Sequence, residues 1–536
     1  MSALILILIA AVVFVVAYIT YGAYLAKKWG IDPSRKTPAH TIADGVDYVP
    51  AKAPVLLGHH FSSIAGAGPI VGPIGAAIFG WIPVFLWIII GSVFFGGVHD
   101  MGALFASVRH DGKSLGEVIG VTMGKNGKRL FAVFAWLTLL LVVAAFTNIV
   151  ANTFVAVPAA ATASCLFILV AILFGVFVYR RGMSLMVGSV IGVALLMLSI
   201  YLGTLFPVSL SKTAWMLILL AYIFVASVTP VWILLQPRDY LNSFLLYAML
   251  IGGFVGVIFM NPKLQLASVT SFKIGSATLF PMLFVTVACG AISGFHSLVG
   301  SGTTSKQIDN EKDIRLVGYG SMLIEGILAT LAIITAGYIG ADKLSELLAN
   351  GGPVNVFSSG LGEFMTSFGL PLATGTSFTA LAISAFALTS LDTATRLARF
   401  IFQEFFDTQS ENGESLITNR YVSTLITVAF GGALAFKGWV AIWPLFGSAN
   451  QLLAALALLA LAIWLKQAGK EYKMAIIPMV FMFAVTLVAL VQLMIANVGN
   501  YILFGFAVAL FILALVLIVH AKKAFEEGAP AEAINK

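Results

Sequence analysis

Two histidines and two serines lie inside an apolar stretch that is long enough to cross a membrane. Residues 55–73 read VLLGHHFSSIAGAGPIVGP. Glycine weakens a helix by about 1 kcal/mol and proline by about 3 kcal/mol relative to alanine. Irregular backbone at bilayer depth is tolerated only where it is buried in protein or lines a cavity. The stretch therefore predicts a broken helix that binds a small molecule. The candidate binding residues are His59, His60, Ser62, Ser63, Gly66 and Gly68.

The chemistry of this first stretch suits an anion. A small carboxylate needs hydrogen-bond donors, and a break frees the backbone N–H groups of Gly66 and Gly68. His60 adds a donor, or it takes and releases a coupling proton, since imidazole titrates near physiological pH. Neighbouring residues on a helix point about 100° apart, so His59 and His60 are expected to differ in role. The alternative is that one of them is a hydrogen-bonded core histidine.

A second apolar run is interrupted in the same way. Residues 290–305 read GAISGFHSLVGSGTTS, with Gly290, Gly294, Gly300 and Gly302 among them. A pair of broken spans at corresponding positions is the best sequence indication of a transporter site. The alternatives are that the small residues only let helices pack, and that the serines bond to their own turn. The candidate binding residues here are Ser293, Phe295, His296 and Ser297.

Three charged residues lie inside other apolar runs. Glu325 has no cation near it in GYGSMLIEGILAT, and an acid inside a membrane is a functional candidate by default. It is the second candidate, after His60, for a coupling proton. Asp392 and Arg396 are four residues apart, a spacing that lets them pair on one helix face, and we expect a structural ion pair.

The composition predicts an all-α polytopic membrane protein. The 536 residues are 60% hydrophobic and 10% charged, with a mean hydropathy of +1.01, whereas soluble domains carry about 25% charged residues. The net charge of +7 arises from short basic loops and does not indicate nucleic-acid binding. Neither a spaced zinc-ligand set such as HExxH nor a nucleotide-binding loop occurs in the sequence. These patterns predict neither an enzyme nor a primary pump.

Runs of about 20 apolar residues predict fifteen membrane spans. They are 3–26, 55–80, 81–109, 128–156, 160–180, 184–206, 213–236, 241–260, 279–302, 314–341, 371–400, 419–437, 439–466, 473–496 and 500–521. The loop 342–370 is predicted to lie outside the membrane, with a short surface helix at its start. None of the loops is long enough for a separate domain.

The distribution of basic residues predicts the orientation of these spans. With the N-terminus outside, 25 of the 30 Lys and Arg residues fall on the inside, as the positive-inside rule requires. The C-terminus is then cytoplasmic, and the two broken spans run in opposite directions. The outside residues are Lys212, Lys263, Lys273, Lys343 and Lys437.

Several long strings carry a resemblance to a known family. DGVDYVPAKAPVLLGHHFSSIAGAGPIVGP, VHDMGALFASVRHDGKSLGEVIG, SGFHSLVGSGTTSKQI, AFALTSLDTATRLARFIFQE and IWPLFGSANQLLAALAL together resemble the carbon starvation protein A family, over about residues 40–465. The resemblance implies a carrier of the bacterial inner membrane that imports pyruvate with protons, or peptides. The family is similar to the amino acid–polyamine–organocation superfamily, which implies a leucine-transporter-like five-plus-five inverted repeat.

The resemblance also implies a division of the chain, residues 1–536, within a single transmembrane domain. Residues 55–206 and 279–466 would be the two repeats, 207–278 two inserted helices, 467–521 two peripheral helices, and 522–536 a cytoplasmic tail. By the same resemblance, Thr389 and Ser390 would supply oxygens to a sodium ion, with carbonyl groups near Ser63–Gly66. No other cofactor is expected.

The sequence thus predicts a secondary active transporter that works by alternating access and imports a small carboxylate, pyruvate above all, with protons. Peptide uptake by the same fold is the first alternative. A membrane nutrient sensor that binds without transport is an alternative from another class. The expected partners are the small-molecule substrate, protons and membrane lipid, and no nucleic acid.

Overall fold

The computed structural model describes residues 1–44, 47–230, 233–275, 277–407 and 416–527. Most of these residues are helical, and a short hairpin is formed by β1 (Lys273–Ile274) and β2 (Ala277–Thr278). The first helices are α1 Ala3–Trp29, α2 Ala53–Ile64, α3 Gly68–Phe79, α4 Trp81–Arg109, α5 Leu115–Ala156, α6 Pro158–Arg180, α7 Leu185–Leu205, α8 Lys212–Val228 and α9 Leu235–Met260. The remaining helices are α10 Leu279–Thr286, α11 Gly294–Gly302, α12 Arg315–Ile339, α13 Ala341–Ala349, α14 Pro353–Thr366, α15 Leu372–Phe406, α16 Arg420–Ala435, α17 Trp439–Gln467, α18 Lys473–Ala496 and α19 Tyr501–Lys523.

The predicted all-helical membrane fold is confirmed, because each of the fifteen predicted spans has a helix or a broken helix in its place. In the described residues, 11 helices are long and apolar enough to cross a membrane, or up to 12 if α2 and α3 form one bent span. α8 and α16 are shorter apolar helices. The number of crossings, the internal repeat and the division of the chain stay predictions. Residues 528–536 of the predicted tail lie outside the described residues.

The first expected break is present. α2 ends at Ile64 and α3 begins at Gly68, with an angle of 47° between the two helices. Pro69 stands in the first turn of α3, where the missing N–H of proline removes no helical hydrogen bond. Residues 65–67 therefore form a short non-helical link, and all three are buried.

The second break is also present, although it lies slightly earlier than the glycines indicated. α10 ends at Thr286 and α11 begins at Gly294, so residues 287–293 are not in a continuous helix. Gly290 lies in this break, whereas Gly300 and Gly302 lie inside or at the end of α11. Glycine spacing predicted that the span is interrupted, but packing decides where.

The region 342–370 corrects a prediction. It begins with the expected short helix α13, but it continues into α14, which is mostly buried and packs against α3, α12 and α15. Glycines at positions such as Gly360 and Gly362 let this helix approach its neighbours closely. The segment is therefore part of the packed protein rather than an exposed loop.

Burial separates a core from a periphery. The most apolar window of α17 is 100% buried, whereas those of α7 and α19 are only 28% buried. The alanines in ANQLLAALALLALA let neighbouring backbones approach α17 closely. Side chains of α7 and α19 such as Val190 and Val519 are exposed and apolar, as lipid-facing residues are. The second broken span, α10 and α11, packs against this buried helix α17.

Candidate functional site

The two breaks touch each other. A Cβ atom added to Gly68 would lie 2.4 Å from the Sγ atom of Cys289, and one added to Gly72 would lie 2.7 Å from the carbonyl oxygen of Thr286. Only glycine permits this approach. The structure therefore brings the two interrupted spans together, as an inverted pair around one site requires.

The carbonyl groups at the second break already have side-chain donors. The indole N–H of Trp87 and the hydroxyl of Ser92, both on α4, supply two of them, and α17 supplies two more. These bonds are Trp87 to Val287 O (3.1 Å), Ser92 to Gly290 O (3.1 Å), Trp443 to Thr286 O (3.2 Å) and Gln451 to Phe284 O (2.6 Å). Protein side chains thus stabilise this break, and these four carbonyl groups already accept hydrogen bonds without a ligand.

Asn450 on α17 fixes the start of α11. Its Oδ1 atom accepts the backbone N–H of Phe295 at 2.9 Å, and its Nδ2 group donates to the hydroxyl of Ser293 at 3.0 Å. The amide is completely buried. The sequence suggested that Asn450 joins helices, and the structure shows that it joins α17 to the second break.

Replacing Asn450 with alanine is expected to reduce transport strongly. The change leaves the buried N–H of Phe295 and the hydroxyl of Ser293 without this partner, which costs about 1–3 kcal/mol for each buried polar group. The measurement is uptake into proteoliposomes beside melting in detergent. Asn497→Ala is the control, because in the described residues its amide group donates only to the carbonyl of Leu493 in the last turn of α18. Equal uptake by the two variants would contradict the role of Asn450.

Most of the predicted serine ligands bond to their own helices. The hydroxyls of Ser62, Ser63 and Ser297 donate to the carbonyl groups of Gly58 (2.8 Å), His59 (3.0 Å) and Gly294 (2.6 Å). Ser293 bonds to Asn450 instead. The alternative reading of serines as back-bonding residues thus describes these three, and each of their oxygens still has acceptor capacity.

The three predicted histidines lie in different surroundings. His60 is buried, and its Nδ1 atom is 2.8 Å from the hydroxyl of Thr304. His59 is half-buried beside a large cavity, and its Nδ1 atom has no hydrogen-bond partner in the described part of the chain. His296 packs on the other side of the break, where its Nδ1 atom is 2.8 Å from Asp100. The expectation that His59 and His60 point in different directions agrees with these positions.

A cavity of about 1470 Å³ reaches Ser63 in the last turn of α2, beside the first break. Its inner wall includes His59, Ser63 and Leu298. Its outer walls carry basic residues that the orientation prediction places on the inside of the membrane. They are Lys125, Lys128, Arg129, Arg180, Lys306 and Arg396.

The kink that shapes one wall of this cavity is at Gly124. Its φ of 78° and ψ of 175° are not helical, and φ lies in the region that favours glycine. The sequence predicted a span from residue 128, and the segment before the kink adds Glu117 to the wall. Lys128 then bonds to both Glu117 and Glu404 at the mouth.

The predicted ion pair is wrong in its partner. Asp392 contacts the guanidinium of Arg238, and its Oδ2 atom accepts the hydroxyl of Tyr222 at 2.9 Å. Arg396 instead donates to the carbonyl groups of Ala226 (2.8 Å) and Thr229 (2.5 Å). Helical spacing permitted the Asp392–Arg396 pair, but two neighbouring helices offer better partners.

Arg238 and Asp239 are buried residues that the sequence analysis missed. The predicted spans 213–236 and 241–260 leave Arg238 in an inside loop, whereas both residues occupy the first turns of α9. Arg238 Nη2 is 3.3 Å from Asp239 Oδ1, and Asp239 also lines the cavity. The string LLQPRDYLNSFLL held the signal, because adjacent charges at the edge of an apolar run are costly unless they have partners.

The hydroxyls predicted to hold sodium are not equivalent. Thr389 accepts a hydrogen bond from Asn242 at 2.7 Å and donates to the carbonyl of Ala385 at 3.1 Å. The buried hydroxyl of Ser390 has no partner in the described residues, and a Cβ atom on Gly66 would lie 2.6 Å from it. One hydroxyl oxygen, not two, is therefore free beside the first break.

Most of the chain matches one family of known proteins. Residues 2–349 and 340–489 match the model of the family described as carbon starvation protein CstA. The chain belongs to this family. The predicted resemblance is thereby confirmed across most of the sequence.

Two relatives of this CstA family member are named for different substrates. It is 35% identical to a protein of Helicobacter pylori named "Peptide transporter CstA", over 90% of this chain and 80% of that protein. It is 33% identical to a protein of Escherichia coli named "Pyruvate/proton symporter BtsT", over 91% of this chain and 81% of that protein. The CstA family member is thus a transporter and not an enzyme, as predicted.

A solved structure shares the fold. The manganese transporter of Eremococcus coleocola superimposes with a TM-score of 0.53 at 14% identity, covering 90% of this chain and 99% of that one. At this identity the likeness concerns the arrangement of helices alone. The CstA family member is accordingly a multi-pass membrane protein with a transporter fold.

Proposed function

We propose that this protein is a secondary active uptake carrier that imports pyruvate together with protons by alternating access. The observation that carries the proposal is the cavity whose basic walls lead to the broken span α2–α3. Cationic walls raise the local concentration of an anionic substrate. A small monocarboxylate is an anion that suits this chemistry.

The substrate is proposed to bind at the first break. The N–H groups of Gly66 and Gly68 have no acceptor among the described residues, so they are free to donate to a carboxylate. His59 Nδ1 and His60 Nε2 are also without partners in the described residues. His60 donates to the substrate or exchanges the coupling proton.

The shape of the protein supports an inward-facing state. The cavity opens among basic residues that are proposed to face the cytoplasm. On the proposed outer side, the buried helix α14 packs against α3 and α15. We place the protein in the bacterial inner membrane, with its N-terminus outside and its C-terminus in the cytoplasm.

Short peptides are the second candidate substrate. The cavity of about 1470 Å³ exceeds the roughly 300–1,000 Å³ that is common for small-molecule sites. The walls include acidic residues as well as basic ones, namely Asp47, Glu117, Asp239 and Glu404. A zwitterionic peptide would find partners for both of its termini.

The proposal predicts accumulation that depends on a proton gradient. An inward gradient of one pH unit sustains about tenfold accumulation of a monoanion that enters with one proton, because a pH unit equals about 1.4 kcal/mol. Labelled pyruvate in proteoliposomes of the full chain is expected to reach this ratio and to lose it with an uncoupler. His60→Ala is expected to abolish it, and the exposed-site variant Glu346→Gln to preserve it.

Other outcomes of the same assay would replace the proposal. Uptake that resists the uncoupler but needs sodium would indicate a sodium carrier using Ser390, the free hydroxyl beside Gly66. Competition by unlabelled short peptides with little pyruvate flux would select the peptide candidate. Binding of either compound without flux would indicate a nutrient sensor.

A further inference from the structure

A row of four titratable side chains, His99, Asp100, His296 and Glu325, connects three helices near the second break. His99 Nδ1 is 2.6 Å from Asp100 Oδ1, and Asp100 Oδ2 is 2.8 Å from His296 Nδ1. The other ring nitrogen of His296, Nε2, is 3.4 Å from Glu325 Oε2. These side chains belong to α4, α11 and α12, and their exposed fractions are at most 1%.

Glu325, at one end of this row, lacks hydrogen bonds in the described residues. Neither oxygen of Glu325 has a hydrogen-bond partner in the described residues, and His296 Nε2 faces it without hydrogen-bond geometry. A buried carboxylate without a hydrogen bond cannot stay ionised alone, because the desolvation cost is large. Glu325 must therefore carry a proton itself or face a protonated His296.

Other titratable groups lie close to this row of side chains. His60 faces it from α2, with His59 beyond, and the thiol of Cys289 faces Glu325 from the break. Among the described residues, neither Asp100 nor Glu325 forms a salt bridge with a lysine or an arginine, and their ionic partners are His99 and His296. The two acids thus depend on imidazole rings for their counter-charge, and imidazoles gain and lose protons readily.

This row of titratable side chains does not line the cavity, but it is in contact with both breaks. None of His99, Asp100, His296 and Glu325 lines the cavity. His296 lies three residues into α11, and the carbonyl group of Ile64, where α2 ends, lies against it. A change of charge at His296 therefore alters the electrostatic interactions at the point where the two interrupted spans meet.

We propose that Asp100, His296 and Glu325 form the site that holds the transported proton, with His296 as its central member rather than a substrate ligand. This inference rests on the proposed function and assigns its coupling residues. An ion-paired state has a proton on each nitrogen of His296, with Asp100 and Glu325 both ionised. Transfer of the Nε2 proton to Glu325 gives a second form with the same two protons, in which Glu325 is protonated and neutral His296 donates its Nδ1–H to Asp100. Release of the proton on Glu325 then leaves one proton in the unit, on His296, and an ionised Glu325 that takes up the next proton.

The proposal predicts that coupling can be separated from substrate exchange. Glu325→Gln resembles the protonated acid, so it can complete exchange, in which no proton needs to leave. It cannot release a proton, so net uptake is not coupled. We expect labelled pyruvate counterflow to persist while proton-driven accumulation falls from about tenfold to about onefold under a gradient of one pH unit. Asp100→Asn and His296→Gln are expected to lose accumulation as well.

Ser321→Ala is the matched control. Its buried hydroxyl lies one turn before Glu325 on α12 and has no partner in the described residues, but it does not titrate. Both counterflow and accumulation should stay at the wild-type level. A pH dye inside the vesicles should report acidification on addition of pyruvate for wild type and Ser321→Ala, and none for Glu325→Gln.

Two outcomes would overturn the assignment. Full accumulation and acidification in a folded Glu325→Gln or Asp100→Asn variant would show that the proton is held elsewhere. Loss of counterflow as well as accumulation in all variants that elute as monodisperse protein would indicate a structural role only. If wild-type protein itself shows no proton-driven uptake of pyruvate or peptide, the proposed function fails, which is a separate result.

Discussion

Replacing Arg238 with methionine is expected to destabilise the folded protein by about 3–5 kcal/mol, the usual cost of removing one partner from a buried ion pair. The guanidinium is almost fully buried between Asp392 and Asp239, and it also donates to Tyr222 at 2.7 Å. Without it, two carboxylates lose their counter-charge inside the protein. The measurement is the midpoint of thermal unfolding in detergent, followed by size-exclusion chromatography.

A second substitution should reverse much of this loss. In Arg238→Met combined with Asp392→Asn, the most buried carboxylate is neutral, and its side chain can still accept the hydroxyl of Tyr222. Arg420→Met is the control, because Arg420 is exposed at the start of α16. An Arg238→Met protein as stable as the control would show that this ion cluster does not hold α9 against α15.

Replacing Gly68 with alanine is expected to reduce transport by at least about tenfold, because it separates the two breaks where they touch. The new Cβ atom would lie 2.5 Å from the Cβ atom of Cys289, which cannot move without its backbone. Such overpacking costs about 1–3 kcal/mol, and a tenfold loss needs only about 1.4 kcal/mol. Uptake of labelled substrate into proteoliposomes measures the effect.

The clash can be tested by removing the side chain of Cys289, which the new methyl group would contact. Cys289→Gly deletes the atoms that meet the new methyl group, so the double variant Gly68→Ala with Cys289→Gly should recover transport. Gly58→Ala is the matched control on α2, where the nearest atom is 3.6 Å from the added Cβ. Unimpaired transport by Gly68→Ala, or no recovery in the double variant, would show that contact between the breaks is not required.

The predictable part of the site consists of residues whose type conflicts with their surroundings. Glycine, proline and histidine in 55–73 are poor choices for a plain membrane helix, and this conflict located the first break. Glu325 stood out because an acid in an apolar run is costly. Both inferences depend only on local composition, so a single sequence sufficed for them.

The partners of these residues were not predictable. Asp392 was expected to pair with Arg396 because they share a helix face, yet Arg238 lies 154 positions away in the chain and fills that place. His296 was expected to contact substrate, but it bonds to Asp100, which is 196 positions away. Helical periodicity describes one element and contains no information about which element packs beside it.

The amino-acid sequence alone predicts that this chain is a helical membrane protein, where its apolar spans lie, and that two of them are interrupted. These properties follow from hydropathy and backbone propensity, which act within about twenty consecutive residues. The contact between the two breaks, the burial of α14, and the adjacency of Asp100, His296 and Glu325 are visible only in three dimensions. Those facts depend on side chains from distant helices meeting in three dimensions, where burial removes water and leaves each polar group to find its partner in the protein.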